Sequence, residues 1–88
     1  MAEIAQITFK LFTRPGCDLC EKLLTELESW QSKYRFKIDL VDISENKQLI
    51  AEYAGRIPVL ATDDEVLSEY FLDENRLITY LENLQNIN

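Results

Sequence analysis

The residues best suited to chemistry in this 88-residue sequence are its two cysteines, Cys17 and Cys20, which form a C-x-x-C unit. Residues 7–12, just before the unit, have the composition of a strand, and residues 20–24, just after it, are typical of the first turns of a helix. A dithiol at such a junction predicts a redox centre.

A helix N-terminus favours the thiolate form of Cys17, because unpaired N–H groups and the helix dipole point toward its sulfur. The pKa of a free cysteine, about 8.5, can fall to about 3.5–7.5 in this position. Cys20 lies one helical turn later on the same face, where it can close a disulfide with Cys17. We therefore predict that Cys17 is the nucleophile and Cys20 the more buried resolving thiol. The alternative interpretation is that both are small core residues.

The elements that must position the dithiol follow the order β-α-β-α-β-β-α. This order predicts an α/β fold with a four-stranded mixed sheet and three helices, in one domain over residues 1–88. The first two strands flank a crossover helix and should be parallel, and the last two should form an antiparallel hairpin. The expected bounds are a strand over 4–12, a helix over 18–33, a strand over 36–42, a helix from the N-cap Ser44 to a stop at Gly55, strands over 57–61 and 66–71, and a helix capped by Asp73.

Composition excludes several classes of function. The net charge of −7 disfavours nucleic acid as a partner, because an acidic surface repels phosphates. Neither a signal peptide nor a membrane-spanning stretch is recognisable, so we expect a cytoplasmic protein with no membrane partner. We also expect the protein to be a monomer. Without histidine, a lone C-x-x-C supplies too few ligands for a metal within one chain. A metal or cluster shared by two chains, each giving one C-x-x-C, remains an alternative.

Three features together resemble a known family. They are the segment 14–20, Arg-Pro-Gly-Cys-Asp-Leu-Cys, after the first strand, the segment Arg56-Ile57-Pro58 before the third, and the order of the elements. The chain is similar over nearly its whole length to the thioredoxin superfamily and, within it, to small, divergent bacterial glutaredoxin-like proteins of unassigned substrate.

This resemblance implies roles for five residues. Cys17 would attack a disulfide and Cys20 would resolve the mixed disulfide. The Ile57–Pro58 bond would be cis, and the backbone of Ile57 would pair with a bound peptide or glutathione. Arg14, three positions before the nucleophile, would hold a carboxylate of glutathione.

The sequence also departs from the glutaredoxin pattern. Asp18 and Leu19 stand between the cysteines, and the charge of Asp18 should oppose formation of the Cys17 thiolate. Arg56 replaces a threonine, where it could offset Asp18 or bind an anionic ligand. The pair of glycines that usually follows the fourth strand and approaches glutathione is absent, which weighs against glutathione as a ligand.

The expected function is that of a thiol–disulfide oxidoreductase that reduces protein or low-molecular-weight disulfides through a mixed disulfide. It would need no tightly bound cofactor, and glutathione is the candidate co-substrate. The alternative function is that of a non-catalytic thioredoxin-fold module that binds a partner or senses redox state.

Overall fold

A computed structural model describes residues 7–85, and its elements follow the predicted order β-α-β-α-β-β-α. The strand order is β2-β1-β3-β4, with β1 and β2 parallel and the other neighbours antiparallel, so the predicted four-stranded mixed α/β fold is confirmed. The elements are β1 (Ile7–Thr13), α1 (Asp18–Ser29), β2 (Phe36–Asp42), α2 (Lys47–Tyr53), β3 (Val59–Ala61), β4 (Val66–Glu69) and α3 (Glu74–Gln85). No helix within these residues is long and apolar enough to cross a membrane.

Both faces of the sheet are covered, because side chains alternate between faces along each strand. Phe9 and Leu11 of β1 are fully buried in the larger core, which includes Leu27 of α1 and Leu77 of α3. Phe12, one residue on, belongs to the second core, on the face where α2 packs. β1 therefore lies between two apolar layers, and it leads directly into the loop that carries the cysteines.

Several element ends differ from the predictions. The first strand ends one residue later than expected, and residues 4–6 lie outside the described part. The first α-helix stops at Ser29 and continues as a 3-10 turn over Trp30–Ser32, whereas the sequence suggested one helix to residue 33. The last two strands are shorter than predicted, and β4 ends at Glu69 because Tyr70 has a φ of 69°, which is not a strand conformation.

The predicted cap of α2 is wrong. Ser44 lies in a 3-10 turn before the helix, and its hydroxyl donates to Asp42 Oδ1 at 2.7 Å. Asn46 is the N-cap, since its Oδ1 accepts hydrogen bonds from Gln48 N at 2.8 Å and Leu49 N at 3.1 Å. Both residue types are good caps, and the start of the apolar stripe alone did not decide between them.

Gly55 follows the end of α2 as predicted, but not in the left-handed conformation that usually explains a glycine there. The carbonyl of Tyr53 instead accepts hydrogen bonds from Arg56 N at 2.8 Å and Ile57 N at 3.1 Å. The predicted N-cap of the last helix, α3, is confirmed, because Asp73 Oδ1 accepts a hydrogen bond from Arg76 N at 3.1 Å.

The revised cap gives a testable expectation. Replacing Asn46 with alanine should lower the free energy of unfolding by about 1 kcal/mol, because two helix N–H groups lose their acceptor. The matched change Ser44→Ala should cost less than about 0.5 kcal/mol, since it removes one exposed side-chain contact. Urea denaturation of both variants measures the difference, and a larger loss for Ser44→Ala would contradict the assignment.

Candidate functional site

The ends of the four strands converge at one edge of the sheet, which we call the dithiol edge. β1 and β2 end together, with Thr13 opposite Asp42. β3 runs the other way, and its first residue, Val59, lies opposite Phe12 on β1 and Glu69 on β4. The loop that carries the cysteines, the segment before β3 and the segment after β4 therefore all leave the sheet at this edge.

Cys17 is the N-cap of the 12-residue helix α1. Its Sγ accepts a hydrogen bond from the backbone N of Cys20 at 3.1 Å. Gly16 allows the chain to turn into the helix, because its φ of 76° lies in the left-handed region that favours glycine. The predicted position of Cys17 at a helix N-terminus is confirmed, and this position places its sulfur against unpaired N–H groups.

Cys17 and Cys20 form a disulfide. Their Cα atoms are 5.2 Å apart, a separation that a disulfide bridges without backbone movement. Cys20 is 3% exposed, whereas Cys17 is only partly buried, so the prediction that Cys20 is the more buried cysteine is confirmed. A reagent in solution therefore reaches Cys17 first.

Two acidic residues occupy the first turn of α1. Asp18 and Glu21 favour the helix through its dipole, yet their charges oppose a thiolate on Cys17. Both side chains are exposed, so solvent and salt screen this repulsion. The N–H groups that face the Cys17 sulfur are fixed by the helix and lie next to it, so solvent and salt screen their attraction for a thiolate less.

The Ile57–Pro58 bond is cis, and the residue after this bond, Pro58, is hydrogen-bonded to the segment that follows β4. Tyr70 N donates a hydrogen bond to the Pro58 carbonyl at 2.8 Å. Ile57 N already donates to Tyr53 O, so its N–H is not free for a ligand. The Ile57 carbonyl accepts none of the hydrogen bonds found within residues 7–85, which leaves it as the group that a bound strand could use.

Arg56 is held by two carboxylates of the protein itself. Its Nη2 lies 2.7 Å from Glu69 Oε2, and its Nη1 lies 3.1 Å from Glu52 Oε2. The guanidinium also lies over the Tyr53 ring, 5.2 Å from its centroid. The hydrogen bond to Glu69 is the main cause that raises the pKa of Arg56 above its ordinary value. Anion binding at Arg56 stays a prediction, and an anion there must compete with both carboxylates.

Arg14 lies exposed in the loop between β1 and α1. It forms none of the ion pairs between described residues. The pKa of Asp42 lies below its ordinary value chiefly because the Ser44 hydroxyl and N–H donate to its carboxylate, and the charge of Arg14 contributes in the same direction. Arg14 is thus a cation at the dithiol edge with room for a ligand carboxylate, which remains a prediction.

Tyr70 is the residue of this edge that the sequence did not reveal. Its φ of 69° is unusual for a bulky side chain and costs about 1–2 kcal/mol. Its hydroxyl donates to the Gly55 carbonyl, and its N–H to the Pro58 carbonyl, so it fastens the segment before β3 to the end of β4. This positive φ could not be predicted from the sequence, because glycine is its usual sequence signal and the segment after β4 contains none.

The described residues contain no group of three histidine, cysteine or acidic side chains placed to share a metal ion. Two shallow concavities, of about 330 and 410 Å³, lie beside α3 and beside the β3–β4 turn. Neither is lined by a cysteine or by Pro58.

Known proteins share this fold, and some of them are identical to this chain at about a third of the aligned positions. Protein Ne2328 of Nitrosomonas europaea, solved by NMR, is 31% identical, with a TM-score of 0.80 over 92% of this chain and 98% of its own. A mutant thioredoxin of Halobacterium salinarum is 24% identical, with a TM-score of 0.61 over 94% of this chain and 78% of its own, which shows the thioredoxin fold.

Sequence comparison gives the same result. A glutaredoxin-like protein of Dictyostelium discoideum is 31% identical over 84 residues, which cover 89% of this chain and 78% of the relative. The model of the glutaredoxin-like domain family (DUF836) matches residues 8–82, which include the C-x-x-C unit and the cis proline. With its thioredoxin fold and its cysteine pair at the dithiol edge, the chain belongs to this divergent glutaredoxin-like family.

Proposed function

We propose that the protein is a thiol–disulfide oxidoreductase that uses Cys17 and Cys20. The observation that carries this proposal is the place of the Cys17 sulfur, which caps helix α1 and forms a disulfide with a cysteine one turn later. A sulfur there is stabilised as a thiolate, the species that attacks disulfides.

The reaction conserves atoms and electrons in two exchange steps. The Cys17 thiolate attacks one sulfur of a substrate disulfide, which forms a mixed disulfide and releases the other sulfur as a thiolate. Cys20 loses its proton and attacks the Cys17 sulfur, which forms the Cys17–Cys20 disulfide and releases the second substrate sulfur. The dithiol has lost two electrons and two protons, and the substrate leaves as two thiols.

The unequal burial of the two sulfurs supports the division of roles. Cys20, 3% exposed, is shielded from a bulky substrate, while it lies within bonding reach of Cys17. Cys17 is partly exposed and can meet the substrate. The exposed sulfur is therefore the attacking group, and the shielded sulfur completes the reaction.

A second turnover requires an external thiol to reduce the disulfide. We propose a low-molecular-weight thiol as this donor, with glutathione as the candidate and Arg14 as the residue that would hold its carboxylate. A cytoplasmic location, where such thiols keep disulfides reduced, fits this cycle.

The pH dependence of Cys17 alkylation tests the proposal. In the reduced Cys20→Ser variant, the rate of reaction with iodoacetamide should rise with pH and level off above the pKa of Cys17. The midpoint is expected below about pH 7.5, against about 8.5 for a free cysteine. A midpoint near that of free cysteine would contradict an activated thiolate.

A matched variant isolates the effect of the neighbouring charge. Asp18→Asn removes the charge of a carboxylate next to Cys17 and keeps a side chain of nearly the same size and shape. The alkylation midpoint should move to lower pH, because a negative charge that disfavours the thiolate is lost. A shift to higher pH would show that Asp18 supports the thiolate through another contact.

One observation favours the second candidate, a non-catalytic module that binds a partner or senses redox state. The N–H of Ile57 and the guanidinium of Arg56 are both engaged within the chain, so two groups that could bind a substrate are occupied. Such a module would hold its partner equally well after both cysteines are replaced, whereas an oxidoreductase would lose its mixed disulfide.

A further inference from the structure

Large apolar side chains are exposed at the dithiol edge. Leu19, between the two cysteines, is 38% exposed, and Tyr70 and Phe71, just after β4, are 42% and 61% exposed. Tyr70 is hydrogen-bonded to Pro58, and β3 is the only strand between β4 and β1. These side chains therefore belong to neighbouring segments at the same edge, and several exposed apolar groups brought together in one place are typical of an interaction surface.

The segment that carries Phe71 is fixed by its backbone. Tyr70 is held by its two hydrogen bonds to Gly55 and Pro58, and Phe71 N donates to Glu69 O at 2.7 Å. Because the backbone of this segment is already held in place, little backbone freedom is lost when a partner packs against Phe71, which favours binding. The exposure of Phe71 is thus a feature of an ordered turn.

The charge around these side chains is mostly negative. Asp18 and Glu21 flank Leu19, and Asp73 and Glu74 follow Phe71, all with exposed side chains. Two guanidinium groups lie at this edge. Arg56 is matched by two carboxylates, and the exposed Arg14 of the β1–α1 loop is outnumbered by the four carboxylates. With a net charge of −7 for the chain, this edge attracts a positively charged partner.

We propose that Leu19, Tyr70 and Phe71 form a docking surface for a basic polypeptide that carries its reactive cysteine next to an apolar or aromatic side chain. That side chain packs against Phe71, and lysine or arginine residues on either side pair with Asp18 and Asp73. The exchange with Cys17 rests on the proposed function, but the docking does not.

This surface discriminates against small anionic disulfides. Glutathione carries two carboxylates and one ammonium group, so its net charge is negative. As a thiol donor it would meet Arg14, but as a disulfide substrate it would have to dock against the acidic rim, which disfavours it. It also lacks an apolar side chain that could cover Phe71. A basic polypeptide supplies both complementary charge and apolar contact area, which together give specificity and a fast encounter.

The test measures docking without thiol chemistry. The oxidised protein is titrated with a synthetic peptide in which serine replaces cysteine, flanked by phenylalanine and four lysines, and binding is followed by NMR chemical shifts. The expected result is binding that weakens with added salt. Phe71→Ala should weaken binding at least tenfold, which corresponds to about 1.4 kcal/mol.

Matched controls make the proposal falsifiable. Leu40→Ala removes another large exposed side chain, 53% exposed, from β2, which β1 and β3 separate from β4, and it should leave binding unchanged. A peptide with glutamates in place of the lysines should bind at least tenfold more weakly. The proposal is overturned if the acidic peptide binds as well as the basic one, or if Phe71→Ala and Leu40→Ala behave alike.

Turnover separates this proposal from the proposed function. With a disulfide-linked form of the basic peptide as substrate, Phe71→Ala should raise KM and leave kcat unchanged, because Phe71 does not touch the reacting sulfurs. Peptide binding without turnover would contradict the oxidoreductase and keep the docking surface. Turnover that is equal for basic and acidic peptides would contradict the docking surface and keep the oxidoreductase.

Discussion

Replacing Cys17 with serine is expected to reduce the catalysed rate of disulfide reduction by a factor on the order of 10³ or more, to the uncatalysed background. The hydroxyl of serine is not ionised near pH 7 and cannot form a disulfide, so no exchange step can begin. The measurement is the rate at which the reduced protein converts a disulfide substrate into thiols. The fold should be unaffected, because serine also caps a helix and accepts the same hydrogen bond.

Cys20→Ser is the matched control, because it removes the other sulfur and leaves Cys17 in place. This variant should attack the substrate and stop at the mixed disulfide, which mass spectrometry detects as one added substrate fragment on Cys17. The Cys17→Ser variant should form no such adduct, since Cys20 is 3% exposed. An adduct on Cys20 instead, or full activity of Cys17→Ser, would reverse the roles that we assign.

The fold was largely predictable from the sequence because local patterns agreed with one another. The apolar spacing of α1, the glycine before Cys17 and the tight turn before β4 each specify an element or a connection. Asp73 could be assigned as the cap of α3 because it directly precedes the helical residues, which begin at Glu74. Ser44 was misassigned because Asn46, an equally good cap, follows two residues later.

The parts of the site that escaped prediction depend on contacts between distant segments. Arg56 meets Glu69, 13 residues further along the chain, and only the hairpin of β3 and β4 brings the two together. Tyr70 adopts its positive φ without any glycine nearby to signal it. Cys17 and Cys20, in contrast, were found from the sequence because their geometry is that of one helical turn.

The loss of Phe9 is expected to be one of the most destabilising single changes in the core. Phe9 is 0% exposed and packs edge to face against Phe36, with ring centroids 5.0 Å apart, and against Tyr80 of α3 at 5.7 Å. Phe9→Ala should lower the free energy of unfolding by about 3–5 kcal/mol, because it removes this buried area and leaves a cavity. A domain of this size has roughly 4–13 kcal/mol of stability, so much of the population could unfold.

Phe71→Ala is the matched control, since it removes the same side chain from a position that is 61% exposed. Its effect on the free energy of unfolding should stay within about 0.5 kcal/mol, as is usual for surface changes. Guanidinium denaturation of both variants compares the two sites, and equal losses would contradict the assignment of Phe9 to the core and of Phe71 to the surface. Because Phe71→Ala should fold normally while it weakens peptide binding, the same variant also separates a loss of docking from a loss of structure.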